Sequence, residues 1–158
     1  MTAAARSREF SRTMRLASLA LGYPDDQWWR DIPLMDTAAD SLSGPPRAAM
    51  RRYLGAVAGL GPGPAQRAYV DTFDLRRRCC LYLTYYSCGD TRKRGIALLQ
   101  FTSAYRVAGF ELTAGELPDH LAVLCEFTAA APEGGRALFR RHRAGLELLR
   151  TALTTGGG

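Results

Sequence analysis

Catalytic signatures are scarce in this chain of 158 residues. It has two histidines, His120 and His142, and none of the glycine-framed strings that cradle phosphates or expose a nucleophilic serine. That scarcity speaks against an enzyme. No C-x-x-C pair occurs: Cys79 and Cys80 are adjacent, and Cys88 and Cys125 stand apart. A zinc site with paired-ligand spacing is therefore unsupported, and free, buried thiols in a reducing compartment are expected. Long apolar runs are missing too. The longest charge-free stretch, Tyr53 to Gln66, is broken by Gly55, Gly59, Gly61, Pro62, Gly63 and Pro64, whereas a bilayer span needs ~18 consecutive apolar residues. Arg12 and Arg15 interrupt Phe10 to Leu21, so a secretory leader is not expected and the chain reads as cytoplasmic.

What is present suits one folded domain over residues 1–158. The length matches a single unit, and 47% hydrophobic residues supply its core. Lys+Arg of 21 against Asp+Glu of 15 gives a formal charge of +6. Arg76-Arg77-Arg78, Arg92-Lys93-Arg94 and Arg140-Arg141 with Arg143 are basic clusters, which keep a nucleic-acid-binding or general protein-interaction module as the alternative reading. Against it, Lys93 is the sole lysine; the richness in Arg, Ala and Gly reads as compositional bias as much as a phosphate footprint.

Spacing of apolar residues by three and four predicts an all-α helical bundle. Phe10, Met14, Ala17 and Leu21 form a stripe over Ser7 to Leu21, ended by Gly22-Tyr23-Pro24. Asp25 and Asp26 can cap a short segment with Trp28 and Trp29, after which Pro33 and the Ser41-Leu42-Ser43-Gly44 stretch read as loop. Pro45-Pro46 opens a helix that buries Met50, Tyr53, Leu54 and Val57, and the Gly59 to Pro64 run closes it. A helix from Ala65 sets Tyr69 and Phe73 one turn apart. Cys79 to Tyr86 is apolar all round and reads as a buried central helix, with a strand as the alternative. Asp90 is placed as the N-cap of a helix to Ala108, with Leu98, Phe101 and Tyr105 inward. Pro118 and Asp119 open another, burying Leu121, Leu124, Cys125 and Thr128. A final helix runs through Phe139, His142, Leu146, Leu149 and Leu153, and residues 154–158 are expected as a disordered tail.

Two places break the pattern of an ordinary bundle. Arg92 and Arg94 sit in the first turn of a helix, where the macrodipole disfavours cations by ~0.3 to 1 kcal/mol each. Either carboxylates such as Glu116, Asp119 or Glu126 compensate, or an anionic partner does. The run Glu116-Leu117-Pro118-Asp119-His120-Leu121 reads as a helix start, with His120 beside carboxylates that favour its protonation.

These strings resemble one family. Tyr69-Val-Asp-Thr-Phe-Asp74, the stretch from Tyr85 to Gly95 containing Gly89-Asp-Thr-Arg-Lys-Arg-Gly95, and Glu116-Leu-Pro-Asp-His-Leu121 followed by Glu126-Phe127 are similar to the NarJ-type nitrate reductase assembly chaperones, also called the delta subunit. That group lies within the TorD-like redox-enzyme maturation chaperones. Cys88 departs from the pattern, where a polar residue or histidine is usual, and family members commonly extend further at the C-terminus. The resemblance implies an all-helical, cytoplasmic, non-catalytic chaperone for the apo form of the catalytic alpha subunit of respiratory nitrate reductase, including its N-terminal segment. It further implies that no cofactor is bound stably, the molybdenum cofactor being handled only through the client. No nucleic-acid partner or membrane insertion is expected, and the chain is compatible with a monomer or a dimer. A helix-binding trough needs apolar walls and a polar rim. The candidates for the walls are Tyr69, Phe73, Tyr82, Tyr86 and Leu121, and for the rim Asp90, Arg92, Arg94, Glu116, Pro118, Asp119 and His120.

Overall fold

A computed structural model describes residues 1–113 and 115–156. Nine α-helices make up the described part, with two short helical links and no strand: α1 Ala3–Ala20, α2 Asp26–Asp40, α3 Gly44–Leu60, α4 Pro62–Tyr69, α5 Leu83–Cys88, α6 Lys93–Val107, α7 Leu121–Ala130, α8 Pro132–Arg141 and α9 Arg143–Thr155. The all-α expectation holds.

The N-terminal half closes around Leu16, Trp28, Met35, Ala39, Leu42 and Leu54. Asp25 caps α2 by accepting the Trp28 N–H at 2.9 Å. Contrary to the loop expected at Pro33, this helix continues through it to Asp40, and the chain leaves the helix only over residues 41–43, as the sequence suggests. An internal proline costs roughly 3 kcal/mol, but Trp28, Ile32, Met35 and Ala39 repeat at helical spacing and pack into the core, and that burial outweighs the lost bond. Pro45 and Pro46 do open α3. The Gly/Pro run after it is not a loop: Gly61 alone, at φ 80°, separates α3 from α4, and a residue with a Cβ would be strained there.

The C-terminal half packs Leu83, Phe101, Tyr105, Leu124, Phe127 and Leu138 together. Of all helix pairs, α1 and α7 make the most extensive contact and join the halves, and the Ser18 hydroxyl donates to the Ala122 carbonyl at 2.7 Å. Between α7 and α8 the backbones nearly touch at Gly135, where an added Cβ would lie 2.1 Å from Thr128 Oγ1 and 2.6 Å from Thr128 Cα. A third cluster of Cys79, Leu81 and Leu149 gathers Leu21, Tyr69, Phe73, Tyr86 and Leu121 around it and links the two halves.

Three further expectations are corrected. Cys79 to Tyr86 is not one helix: a 3₁₀ turn at Arg77–Cys79 leads into extended Tyr82, and only from Leu83 does α5 begin. The chain straightens because it pairs with a distant segment. The Leu121 N–H donates to the Leu81 carbonyl (2.8 Å) and the Leu83 N–H to the Asp119 carbonyl (3.2 Å), forming an isolated antiparallel bridge between Tyr82 and His120. Likewise, the last predicted helix breaks at His142 (φ −105°, ψ 20°) into α8 and α9, and its apolar residues serve two clusters. Leu138, Phe139 and Leu146 fill one, and Leu149 the other. Finally, Thr154 and Thr155 belong to α9 rather than to a tail; Gly157 and Gly158 lie outside the described residues.

Candidate functional site

The helix starts at α5 and α7 are built from the Pro118-Asp119-His120 corner, where Asp119 does not play the part expected of it. Asp119 does not cap its own helix. It is fully buried, and its Oδ2 accepts the Thr84 N–H (3.0 Å) and the Thr84 hydroxyl (2.6 Å), capping α5. His120 caps α7 instead, its Nδ1 accepting the Ala122 N–H at 3.1 Å. Pro118 is buried and its carbonyl accepts the Tyr105 hydroxyl.

Arg94 closes this corner from α6. Its Nε donates to Thr84 Oγ1 at 3.1 Å, its Nη2 lies 4.0 Å from Asp119 Oδ2 and its Nη1 3.7 Å from Asp90 Oδ1. The guanidinium also sits over the Tyr82 ring, 5.7 Å from the centroid. Tyr82 packs edge-on against His120, with centroids 5.1 Å apart, and donates its hydroxyl to Glu116 at 2.9 Å. Of the carboxylates named from sequence, Asp119 does compensate Arg94. Glu126 instead pairs with Arg15 at 3.7 Å. Asp90 is not the α6 cap; Arg92 occupies that position without a side-chain cap bond, and Asp90 serves as a surface counter-ion.

Burial lowers the His120 pKa and outweighs the opposing pull of Glu116 and Asp119, which corrects the expected bias toward protonation. Neutral imidazole is also what the cap requires, since Nδ1 must keep its lone pair. Burial, helped by the Glu116 hydrogen bond, raises Tyr82 to about 12, and burial raises Tyr69, Tyr86 and the Cys80 thiol as well. These phenols and the Cys80 thiol therefore stay protonated near neutral pH. Among the described residues no group of three or more His, Cys, Asp and Glu is placed to hold a metal ion.

Beside the corner runs an apolar cleft of about 400 Å³ between α3 and the α4 region. Tyr53, Val57, Leu60, Tyr69 and Phe73 line it, with Leu153 from α9. Tyr69 is held by its hydroxyl on the Leu21 carbonyl (2.7 Å) and by ring contacts with Phe73 (4.9 Å) and Tyr23 (5.6 Å). After Tyr69 the chain widens into a π-helical turn, Val70–Asp74, which sets Phe73 toward the cleft.

The predicted trough residues are thus distributed over three places. Tyr69 and Phe73 line the cleft; Tyr82, Glu116, His120 and Arg94 form the corner. Tyr86 faces a separate hollow with Arg77 and Arg78, its hydroxyl bonded to the Cys80 carbonyl at 2.7 Å. Leu121 is half-buried core, and Asp119 has no surface to present. Thr84, the hub of the corner, was not foreseen because a lone threonine in an apolar run carries no signal. Tyr53 was legible only as α3 core spacing, and Leu60, half exposed at the end of α3, lies outside that stripe.

Fold and site together define an all-helical protein in which an apolar cleft lies beside a fixed polar corner. The chain belongs to the nitrate reductase delta subunit family, whose profile matches residues 39–155. It is 32% identical over 143 residues to the probable nitrate reductase molybdenum cofactor assembly chaperone NarJ of Bacillus subtilis, covering 89% of this chain and 78% of that one. The NarJ chaperone of Escherichia coli K12 is 31% identical over 121 residues, 75% of this chain and 51% of its own. The nitrate reductase-like protein NarX of Mycobacterium tuberculosis H37Rv is 39% identical over 139 residues, 87% of this chain but 21% of its own. The chain therefore spans about a fifth of NarX and half of the E. coli protein. The resemblance drawn from the Tyr69, Gly89 and Glu116 strings is confirmed.

Proposed function

We propose that this protein is a system-specific chaperone that binds the apo form of the catalytic alpha subunit of nitrate reductase, its N-terminal segment included, and supports insertion of the molybdenum cofactor. It acts in the cytoplasm, binds rather than catalyses, and meets the cofactor only through its client. The observation that carries this reading is membership of the delta subunit family with two relatives named as nitrate reductase cofactor assembly chaperones. Physical features support it. The cleft walled by Tyr53, Leu60, Tyr69 and Phe73 has the apolar lining that a helix-in-groove complex uses. Its volume of about 400 Å³ accommodates a few side chains of an amphipathic segment, not a folded domain. No helix of the described residues is long and apolar enough to cross a membrane.

Phe73→Ser tests the assignment of the cleft. The expected result is at least a ten-fold loss of affinity for the apo alpha subunit in a pull-down titration, with the helical content unchanged. Affinity equal to that of the unaltered protein contradicts the placement of the client in this cleft.

A further inference from the structure

Helix α6 carries two apolar faces, and only one is used within the fold. Leu98, Phe101 and Tyr105 turn inward, with Phe101 and Tyr105 buried in the second core cluster. On the opposite side, positions 92, 96, 99, 103 and 107 recur at spacings of four, three, four and four, which places them on one stripe. That stripe reads Arg92, Ile96, Leu99, Ser103 and Val107. Ile96 is 67% exposed, Leu99 64% and Val107 90%. α6 packs on α5 and α8, and among the described residues nothing covers its outer face.

Charge indicates what fits there. From Thr91 to Ala108 the sequence has no carboxylate, while Arg92 and Lys93 stand exposed at one end and Arg106 at the other. Arg141 adds a cation at the flank through its bond to Gln100 (3.2 Å). A second copy is disfavoured, since pairing α6 with α6 brings Arg92 and Lys93 against Arg106 or against themselves. A membrane surface is disfavoured as well. The stripe has no tryptophan or phenylalanine to enter the headgroup region, and Ser103 interrupts it. Small Gly95 and Ser103 beside Ile96, Leu99 and Val107 instead leave notches between ridges, the relief into which another helix packs.

We infer that the outer stripe of α6 is a second docking surface, for an amphipathic helix of another protein whose apolar face is flanked by acidic residues. Ile96, Leu99 and Val107 bury the apolar face. Arg92 and Lys93 receive carboxylates at the N-terminal end, where the helix dipole adds to the attraction. Arg94 takes no part, being committed to Asp119 and Thr84. The inference is independent of the proposed client.

Two synthetic 18-residue helices with the same leucine stripe, one flanked by glutamates and one by lysines, are titrated with the full chain by fluorescence anisotropy. The expected result is at least ten-fold tighter binding of the glutamate peptide, a loss of ten-fold or more in the Ile96→Ser/Leu99→Ser variant, and a narrowed peptide preference in Arg92→Glu. Leu34→Ser, which alters an exposed leucine on α2, leaves binding unchanged. Equal affinity for the two peptides, no binding of either, or an equal loss with Leu34→Ser overturns the inference. So does a double variant that loses binding to phosphatidylglycerol vesicles yet keeps the peptide, which makes the face a membrane contact. Should the double variant fail to fold, the Arg92→Glu preference decides. Since no reductase is used, a negative result leaves the proposed function standing.

Discussion

Asp119 Oδ2 holds both the backbone N–H and the hydroxyl of Thr84, 35 residues away in sequence, at 3.0 and 2.6 Å. One carboxylate thereby starts α5, fixes the extended step at Tyr82, and draws Arg94 of α6 against the beginning of α7.

Removing that carboxylate should loosen all three elements. Asp119→Ala leaves two buried donors of Thr84 without their acceptor and Arg94 without its inner counter-ion, a loss of about 3 kcal/mol or more. For a domain of this size that is a fall in melting temperature of roughly 6 to 12 °C. A calorimetric shift of less than 2 °C would show that Asp119 is replaceable.

Arg94 and Arg92 should separate in the same assay. The Arg94 side chain is 22% exposed and tied to Thr84, Asp90 and Asp119, so Arg94→Gln should destabilise by about 1 to 2 kcal/mol. Arg92 is exposed at the positive end of α6. Its replacement by Gln relieves a repulsion of a few tenths to ~1 kcal/mol, and the melting temperature should hold or rise. Equal falls for the two variants contradict this division.

Stability should decline on mild acidification because His142 is buried and His120 half-buried. Burial depresses the pKa of both His120 and His142 below the ordinary 6.5, so the unfolded chain binds more protons than the folded one as pH drops through that value. The contribution is fully present above about pH 6.5 and is lost progressively below it. Urea unfolding at pH 7.5 and 5.5 should give lower stability at 5.5. His120→Asn, which keeps a cap acceptor, should reduce the difference; an unchanged pH dependence in that variant would remove His120 from the explanation.

Gly135→Ala sets two effects against each other. Helix propensity favours alanine by ~1 kcal/mol, but the new methyl would meet Thr128 backbone at 2.6 Å, and overpacking of this kind costs about 1 to 3 kcal/mol or more. Net destabilisation is expected in denaturant melts. Adding Thr128→Ala should not restore stability, since the Cα remains; full rescue would locate the clash in the side chain alone.

The amphipathic helices were legible in the sequence because their periodicity is local, as in α1 and in the inner face of α6. Pro33 misled, since the proline rule is local while the packing of Met35 and Ala39 that overrides it is not. The corner was legible only in part. The unusual position of Arg92 and Arg94 marked it, and Asp119 was named as a partner. That Asp119 caps α5 and leaves the start of α7 to His120 depends on Thr84, a contact across 35 residues that no spacing rule exposes. The same long-range bridge turned Cys79 to Tyr86 from an expected helix into a turn, an extended residue and a short helix.

The central claim is tested most directly by a titration of this protein with the alpha subunit of nitrate reductase, prepared both without and with its molybdenum cofactor, followed by isothermal calorimetry. Saturable binding of the apo subunit and at least ten-fold weaker binding of the loaded one are expected. Equal affinity for both forms, or no binding of the apo subunit, would contradict that claim.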